Sequence, residues 1–142
     1  MAKEYRIGFG TRLINGVFRA MTRFGIGNSY RYILTVRGRK SGRLYSTPVD
    51  VMSADGERWV VGAYGVSNWV RNARAAGQID LSRGGRSETV SVVELGPEES
   101  VPVLRQYWRE VPVTRAYFDV TGDSTDEEFA AESPRHPVFR LA

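Results

Sequence analysis

Three cations and a hydroxyl fall within six residues at Gly38-Arg39-Lys40-Ser41-Gly42-Arg43, bracketed by glycines. Glycine permits backbone angles that turn successive amides toward one point, and amides together with guanidinium and ammonium groups make a cradle for phosphate. The spacing is not that of a Walker loop, which needs Gly-x-x-x-x-Gly-Lys-Ser/Thr opening a helix. The same composition also makes a solvated hairpin turn, and local composition leaves both readings open.

A second cluster, Ala63-Tyr64-Gly65-Val66-Ser67-Asn68-Trp69-Val70-Arg71-Asn72, joins a strand end to a helix start carrying an indole, two amides and a guanidinium. A planar ligand can stack or hydrogen-bond there, although a helical Trp such as Trp69 is more often core. Tyr107, Trp108, Tyr117 and Phe118 concentrate aromatics late in the chain, as the wall of an apolar pocket or as packing. Within that group Tyr107 or Tyr117 offers a proton or a hydrogen bond to a substrate carbonyl. The lone His136, between Arg135 and Pro137, is expected in a surface or capping position. Zero Cys and one His exclude disulfides, thiolate nucleophiles, cysteine zinc sites and most hydrolase chemistry, and no metal-ligand spacing or nucleophile elbow occurs.

These groups need elements to position them. The 142 residues, with sixteen aromatics and 25% charged residues, are expected to form one domain with a substantial core. From Phe9 to Phe24, apolar residues at helical spacing oppose Arg12, Arg19 and Arg23, which predicts an amphipathic helix within residues 1–29. Residues 30–95 form the core that carries the motifs. There, strands at Tyr30–Arg37, Leu44–Met52 and Arg58–Ala63 make an antiparallel meander. A helix capped by Ser67 and ended by Gly77 follows, then a hairpin of strands over 78–83 and 86–95. Residues 96–142 hold a helix from Pro97 to about Glu110, a short piece near Val113–Phe118, a helix capped by Ser124 or Thr125, and a terminal strand ending at Leu141. Helices around an antiparallel, strongly curled sheet or barrel define an α+β class.

In order, Leu34-Thr35-Val36-Arg37-Gly38-Arg39-Lys40-Ser41-Gly42, Ser46-Thr47-Pro48-Val49 and Trp69-Val70-Arg71-Asn72 resemble the deazaflavin-dependent nitroreductase family, the coenzyme F420-dependent reductases of actinobacteria. The likeness runs over roughly residues 32–95, and His136-Pro137-Val138-Phe139-Arg140-Leu141 also looks like family endings. It implies a split β-barrel of the FMN-binding, flavin-reductase-like type, with F420 rather than FMN as cofactor. By the match, Arg39, Lys40, Ser41 and Gly42, with Arg43 nearby, would hold the phosphate and oligoglutamate tail. Thr47, Pro48 and Val49 would run beside the deazaflavin, opposite Ala63, Tyr64 and Gly65, with Trp69 and Asn72 on the helix flanking the ring and Arg71 beside them also binding the cofactor. Between Ala63 and Trp69 the loop is shorter than in the best-known nitroreductases and lacks their lysine-containing insertion.

The activity so implied is hydride transfer to an apolar, electron-poor small molecule such as a quinone, an activated enone or lactone, or a nitroaromatic. It suits a chain poor in acid–base residues, because the cofactor carries the hydride. The charge distribution agrees. Residues 1–47 hold ten cations and one acid, and residues 48–142 ten cations and fifteen acids, so an anion is expected to meet the first third. No nucleic-acid partner is expected, given the acidic remainder and the lack of a recognised motif. A cytoplasmic protein, monomer or homodimer, is expected, since no apolar run nears the ~20 residues of a membrane span. The alternative is a lipid- or membrane-surface-binding member of the same fold, reaching the inner face of the membrane through the Phe9–Phe24 helix.

Overall fold

A computed structural model of the chain describes residues 29–142. The expected Phe9–Phe24 helix lies outside the described residues. Among the described residues, six antiparallel strands, β1 (Ser29–Arg37), β2 (Leu44–Ala54), β3 (Glu57–Val61), β4 (Gln78–Arg83), β5 (Arg86–Glu94) and β6 (Val138–Leu141), close into a barrel in the order β1-β2-β3-β6-β5-β4. Pairing of β4 back onto β1 completes the ring. Closure removes the unpaired edges that an open sheet would expose. The meander and the second hairpin thus form as their turn residues predict, with Asp55-Gly56 and Gly84-Gly85 all at positive φ.

Side chains alternate across a strand, so β2, β3 and β6 divide their buried residues between two cores, while β1, β4 and β5 contribute to the barrel interior alone. Leu34 and Val36 of β1, Val49 and Val51 of β2 and Phe139 of β6 fill the barrel interior. Val70 and Ala73 of helix α1 (Asn68–Ala76) join them and plug one end. Met52 of β2 and Val61 of β3 face the other way, onto Val101, Leu104 and Tyr107 of helix α2 (Pro97–Glu110) and Phe129 of helix α3 (Asp126–Glu132). A 3₁₀ segment, Pro112–Tyr117, links α2 to α3 across this second core.

The helix ends follow from their sequences. Gly77 adopts a left-handed φ of 74° and its N–H donates to the Ala73 carbonyl, ending α1. Ser67 sits at the N-cap of α1, but its hydroxyl makes no cap bond. Thr125 and Glu128 form a reciprocal capping box on α3. Helix α2 runs through Pro102, which is exposed and near enough to the N-terminus that one missing N–H is tolerated. Leu104 is fully buried between α2 and the barrel's outer face. Leu104→Ala is therefore expected to lower unfolding free energy by about 2–5 kcal/mol in urea titrations, through lost transfer energy and a residual cavity.

Candidate functional site

The β1–β2 ladder holds to its last pair, Arg37 opposite Leu44, so residues 38–43 are a tight connection at one end of the barrel. The Gly38 N–H donates to the Arg43 carbonyl at 2.6 Å and the Gly42 N–H to the Gly38 carbonyl at 3.0 Å. Arg37 Nη1 donates to the Gly42 carbonyl at 2.8 Å. Two glycines are required here for different reasons. At Gly38 a Cβ would lie 2.6 Å from the Tyr45 ring, and Gly42 adopts a φ of 74°. The amides of Gly38, Gly42 and Arg43 donate within the turn and that of Arg39 to helix α1, so of the six only those of Lys40 and Ser41 lack an acceptor among the described residues.

Helix α1 fastens this turn. The buried Oδ1 of Asn72 accepts from the Arg39 backbone N–H at 3.0 Å and from Arg39 Nη1 at 2.8 Å. Asn72 thus holds the loop and one of its guanidinium groups at once. Around the turn, Arg37, Arg39, Lys40, Arg43 and Arg71 are exposed and pair with no carboxylate among the described residues. Elsewhere Arg58, Arg74, Arg105 and Arg135 each hold an Asp or Glu. Five cations thus stand close together around one turn and give that mouth of the barrel a positive potential.

From that mouth a cavity of about 730 Å³ runs between the outer face of the β1–β2 hairpin, the residues after β3, and α2. Arg39, Lys40, Ser41 and Arg71 border its entrance, with Asn72 behind them. Thr47, Pro48, Val49, Ala63, Tyr64 and Trp69 also border it, with Val61 and Val66 adding apolar wall. Trp69 serves two surfaces, since its ring also lies 5.9 Å from that of Phe139 in the barrel interior. Gly42, Arg43 and Gly65 do not line the cavity. They shape the turns beside it, Gly65 at a φ of 99°.

Of the two tyrosines, Tyr107 borders the cavity and Tyr117 does not. Tyr117 stands behind, its ring edge-on to Tyr64 with centroids 5.0 Å apart. Burial, with a contribution from Asp50, pushes the Tyr107 hydroxyl pKa well above its ordinary value. Phe118 and Trp108 belong to the helical core.

His136 departs from expectation. It is 3% exposed rather than on the surface, stacked on Phe118 with centroids 3.8 Å apart. Its ring nitrogens lie 3.2 Å from the Gly62 carbonyl oxygen and 2.8 Å from that of Tyr117. It joins the exit of β3 to the 3₁₀ segment and so fixes the backbone behind Tyr64. Burial holds its pKa below the ordinary imidazole value, against the pull of Glu132 at 3.6 Å.

Sequence reading passed over Arg31 and Asp50. They are partners across the β1–β2 ladder, 7% and 5% exposed, with Arg31 Nη2 3.3 Å from Asp50 Oδ2, and both border the cavity. The available signal was a charge of each sign set inside otherwise apolar strand runs, Tyr30–Val36 and Val49–Met52. Burial outweighs Arg31 and pushes the Asp50 pKa up from 3.8 to about 6.

Two tests follow from this geometry. Asn72→Ala removes the acceptor for two Arg39 donors and is expected to cost about 1–3 kcal/mol in urea unfolding. Asp50 keeps its proton to higher pH folded than unfolded. Its contribution is thus fullest below 3.8 and is lost as pH rises to about 6. Wild-type stability relative to Asp50→Asn is expected to fall across that window and stay flat above it. A difference independent of pH would contradict the buried carboxyl.

The sequence profile described as F420H(2)-dependent quinone reductase matches residues 14–130. No curated protein matches the sequence. Among solved structures, an F420-H2 dependent reductase (FDR-A) is similar with a TM-score of 0.55 at 18% identity, over 79% of this chain and 93% of that one. Protein Atu2129 of Agrobacterium tumefaciens str. C58, of unknown function, is similar with a TM-score of 0.56 at 17% identity. That likeness covers 94% of this chain and 54% of the other, so this chain spans about half its length. A structure described as a domain-swapped dimer gives a TM-score of 0.56 at 17% identity, over 94% and 97% of the two chains. At such identities the structures establish the barrel fold, whereas the profile spans most of the sequence. The chain belongs to the F420H2-dependent quinone reductase family of oxidoreductases, whose cofactor is coenzyme F420.

Proposed function

We propose that this chain reduces an apolar, electron-poor small molecule, of the quinone, activated enone or lactone, or nitroaromatic class, in the cavity beside β2. The observation that carries the reading is that Arg39, Lys40 and Arg71, which pair with no carboxylate among the described residues, line one end of a cavity whose wall continues with Pro48, Val49, Ala63, Val66 and Trp69, while Arg37 and Arg43 stand beside the same turn. A phosphate with a polycarboxylate tail matches the first part, and a flat ring with an apolar partner matches the second.

The residues fit coenzyme F420 on these grounds. Lys40 and Ser41 offer unused amides, and Arg39, Lys40, Arg43 and Arg71 offer charge. Trp69, Val66 and Pro48 offer flat or apolar wall to a ring. Reduced F420 supplies a hydride when bound. The chain's task is then to hold the tail, to set the ring plane between β2 and the residues after β3, and to keep water from the reacting face. Asn72 contributes indirectly by presenting Arg39. The family's description, which names quinones, supports that class of acceptor. A homodimer belongs to the same reading, supported by the fold relative described as a domain-swapped dimer. Among the described residues no helix is long and apolar enough to cross a membrane.

Lys40→Ala is expected to weaken F420 binding by about 1.5–3 kcal/mol, the usual worth of a charge-assisted hydrogen bond. Quenching of coenzyme fluorescence measures it, and FMN is expected to bind far less tightly. Equal binding by both proteins would remove the cradle. Oxidation of reduced F420 by a panel of quinones, unsaturated lactones and nitro compounds identifies the acceptor class.

A further inference from the structure

At the end of the cavity away from the cationic turn, Asp50 Oδ1 and Arg31 Nε are buried without a hydrogen-bond partner among the described residues. Asp50 Oδ2 lies against Arg31, and Asp50 borders the cavity. Buried polar atoms in native structures are almost always paired, so an exception beside a ligand cavity points to a ligand group. Position along the hairpin narrows which one. The Arg31–Asp50 pair is six residues from the Arg37–Leu44 pair that opens the turn, about 20 Å at the rise of a β-strand. That is away from the tail the cations would hold, toward the end where, on the function proposed above, an acceptor would meet the ring.

Resting on the function proposed above, we infer that Asp50 is the proton donor to the acceptor. Its Oδ1–H bonds the acceptor's carbonyl or nitro oxygen, and Arg31 stabilises the carboxylate left behind. The hydride, with its electron pair, would be supplied to the acceptor by the reduced deazaflavin when that is bound. The Asp50 O–H bond breaks as a new O–H bond forms on the acceptor oxygen. The two electrons gained by the acceptor would be those lost by the deazaflavin, and the Asp50 carboxylate regains its proton from water.

Among the described residues the ionisable groups that act on or with Asp50 are Arg31 from β1 and Tyr107 from α2, and Tyr64 from the segment after β3 borders the same cavity. Neither of the first two is an apt acid. Arg31 keeps its charge, and burial makes the Tyr107 hydroxyl a poorer donor than an ordinary tyrosine. Asp50, with a pKa of about 6, retains protons at mildly acidic pH and still releases them readily. A carboxylic acid kept neutral by its surroundings so that it can donate is an established device.

Asp50→Asn tests the assignment, with menadione as acceptor. F420 affinity, read by fluorescence quenching, is expected to be unchanged, while kcat falls about a hundredfold, the scale of general-acid catalysis. The wild-type decline of kcat as pH rises through about 6 is expected to be absent from the variant. Retention of the wild-type rate and pH profile would overturn the proposal. If the variant does not fold, wild type decides by infrared difference spectroscopy. A carboxylic acid band titrating near the same pH should shift when menadione joins the complex with oxidised F420, where no turnover occurs. A band indifferent to menadione overturns the assignment of Asp50 alone. Failure of wild type to bind F420 would instead strike the underlying function.

Discussion

The long β1–β2 hairpin is the constraint from which the rest of the site follows. Its nine paired positions impose strict alternation, so a residue's parity decides whether it fills the barrel or faces the helices. Val49 and Val51 must go inward, and Asp50 and Met52 must then go outward toward α2. The same ladder sets the cationic turn at one end and the Arg31–Asp50 pair near the other. A register slip of one residue would drive Asp50 into the apolar interior, which the energetics of burying an unpaired carboxylate forbid.

Along this hairpin the electrostatics change character. At the turn, guanidinium and ammonium groups are exposed and have no carboxylate partners among the described residues, which keeps them available to an anion and costs little in solvation. At the far end one guanidinium and one carboxylate are both removed from water. A buried pair of this kind is a poor source of stability, since desolvation consumes most of the attraction. Its survival in an otherwise apolar layer is better accounted for by a role in the cavity than by a contribution to folding.

Fastening is the second theme. Asn72 ties the turn to α1, and His136 ties the end of β3 to the 3₁₀ segment behind Tyr64. Both are buried polar side chains whose bonds reach backbone or arginine groups distant in sequence. Each converts a loop that would otherwise wander into a wall of defined position, as a site must be to orient a flat ring against a second molecule.

Much of this protein was determined by local sequence. The β1 and β2 runs, the turns at Asp55-Gly56 and Gly84-Gly85, the stop at Gly77 and the capping box at Thr125 each depend on residues within a few positions of one another, where propensity and turn chemistry act. The resemblance carried by Gly38–Gly42, Ser46–Val49 and Trp69–Asn72 likewise needed only order and spacing. Tertiary structure alone decided that Asn72 serves Arg39, that Tyr107 rather than Tyr117 reaches the cavity, that His136 is interior, and that Arg31 and Asp50 pair beneath α2. These outcomes depend on which surfaces the closed barrel brings within hydrogen-bond distance. Burial, not residue type, then sets whether a carboxyl is an ordinary surface charge or an acid.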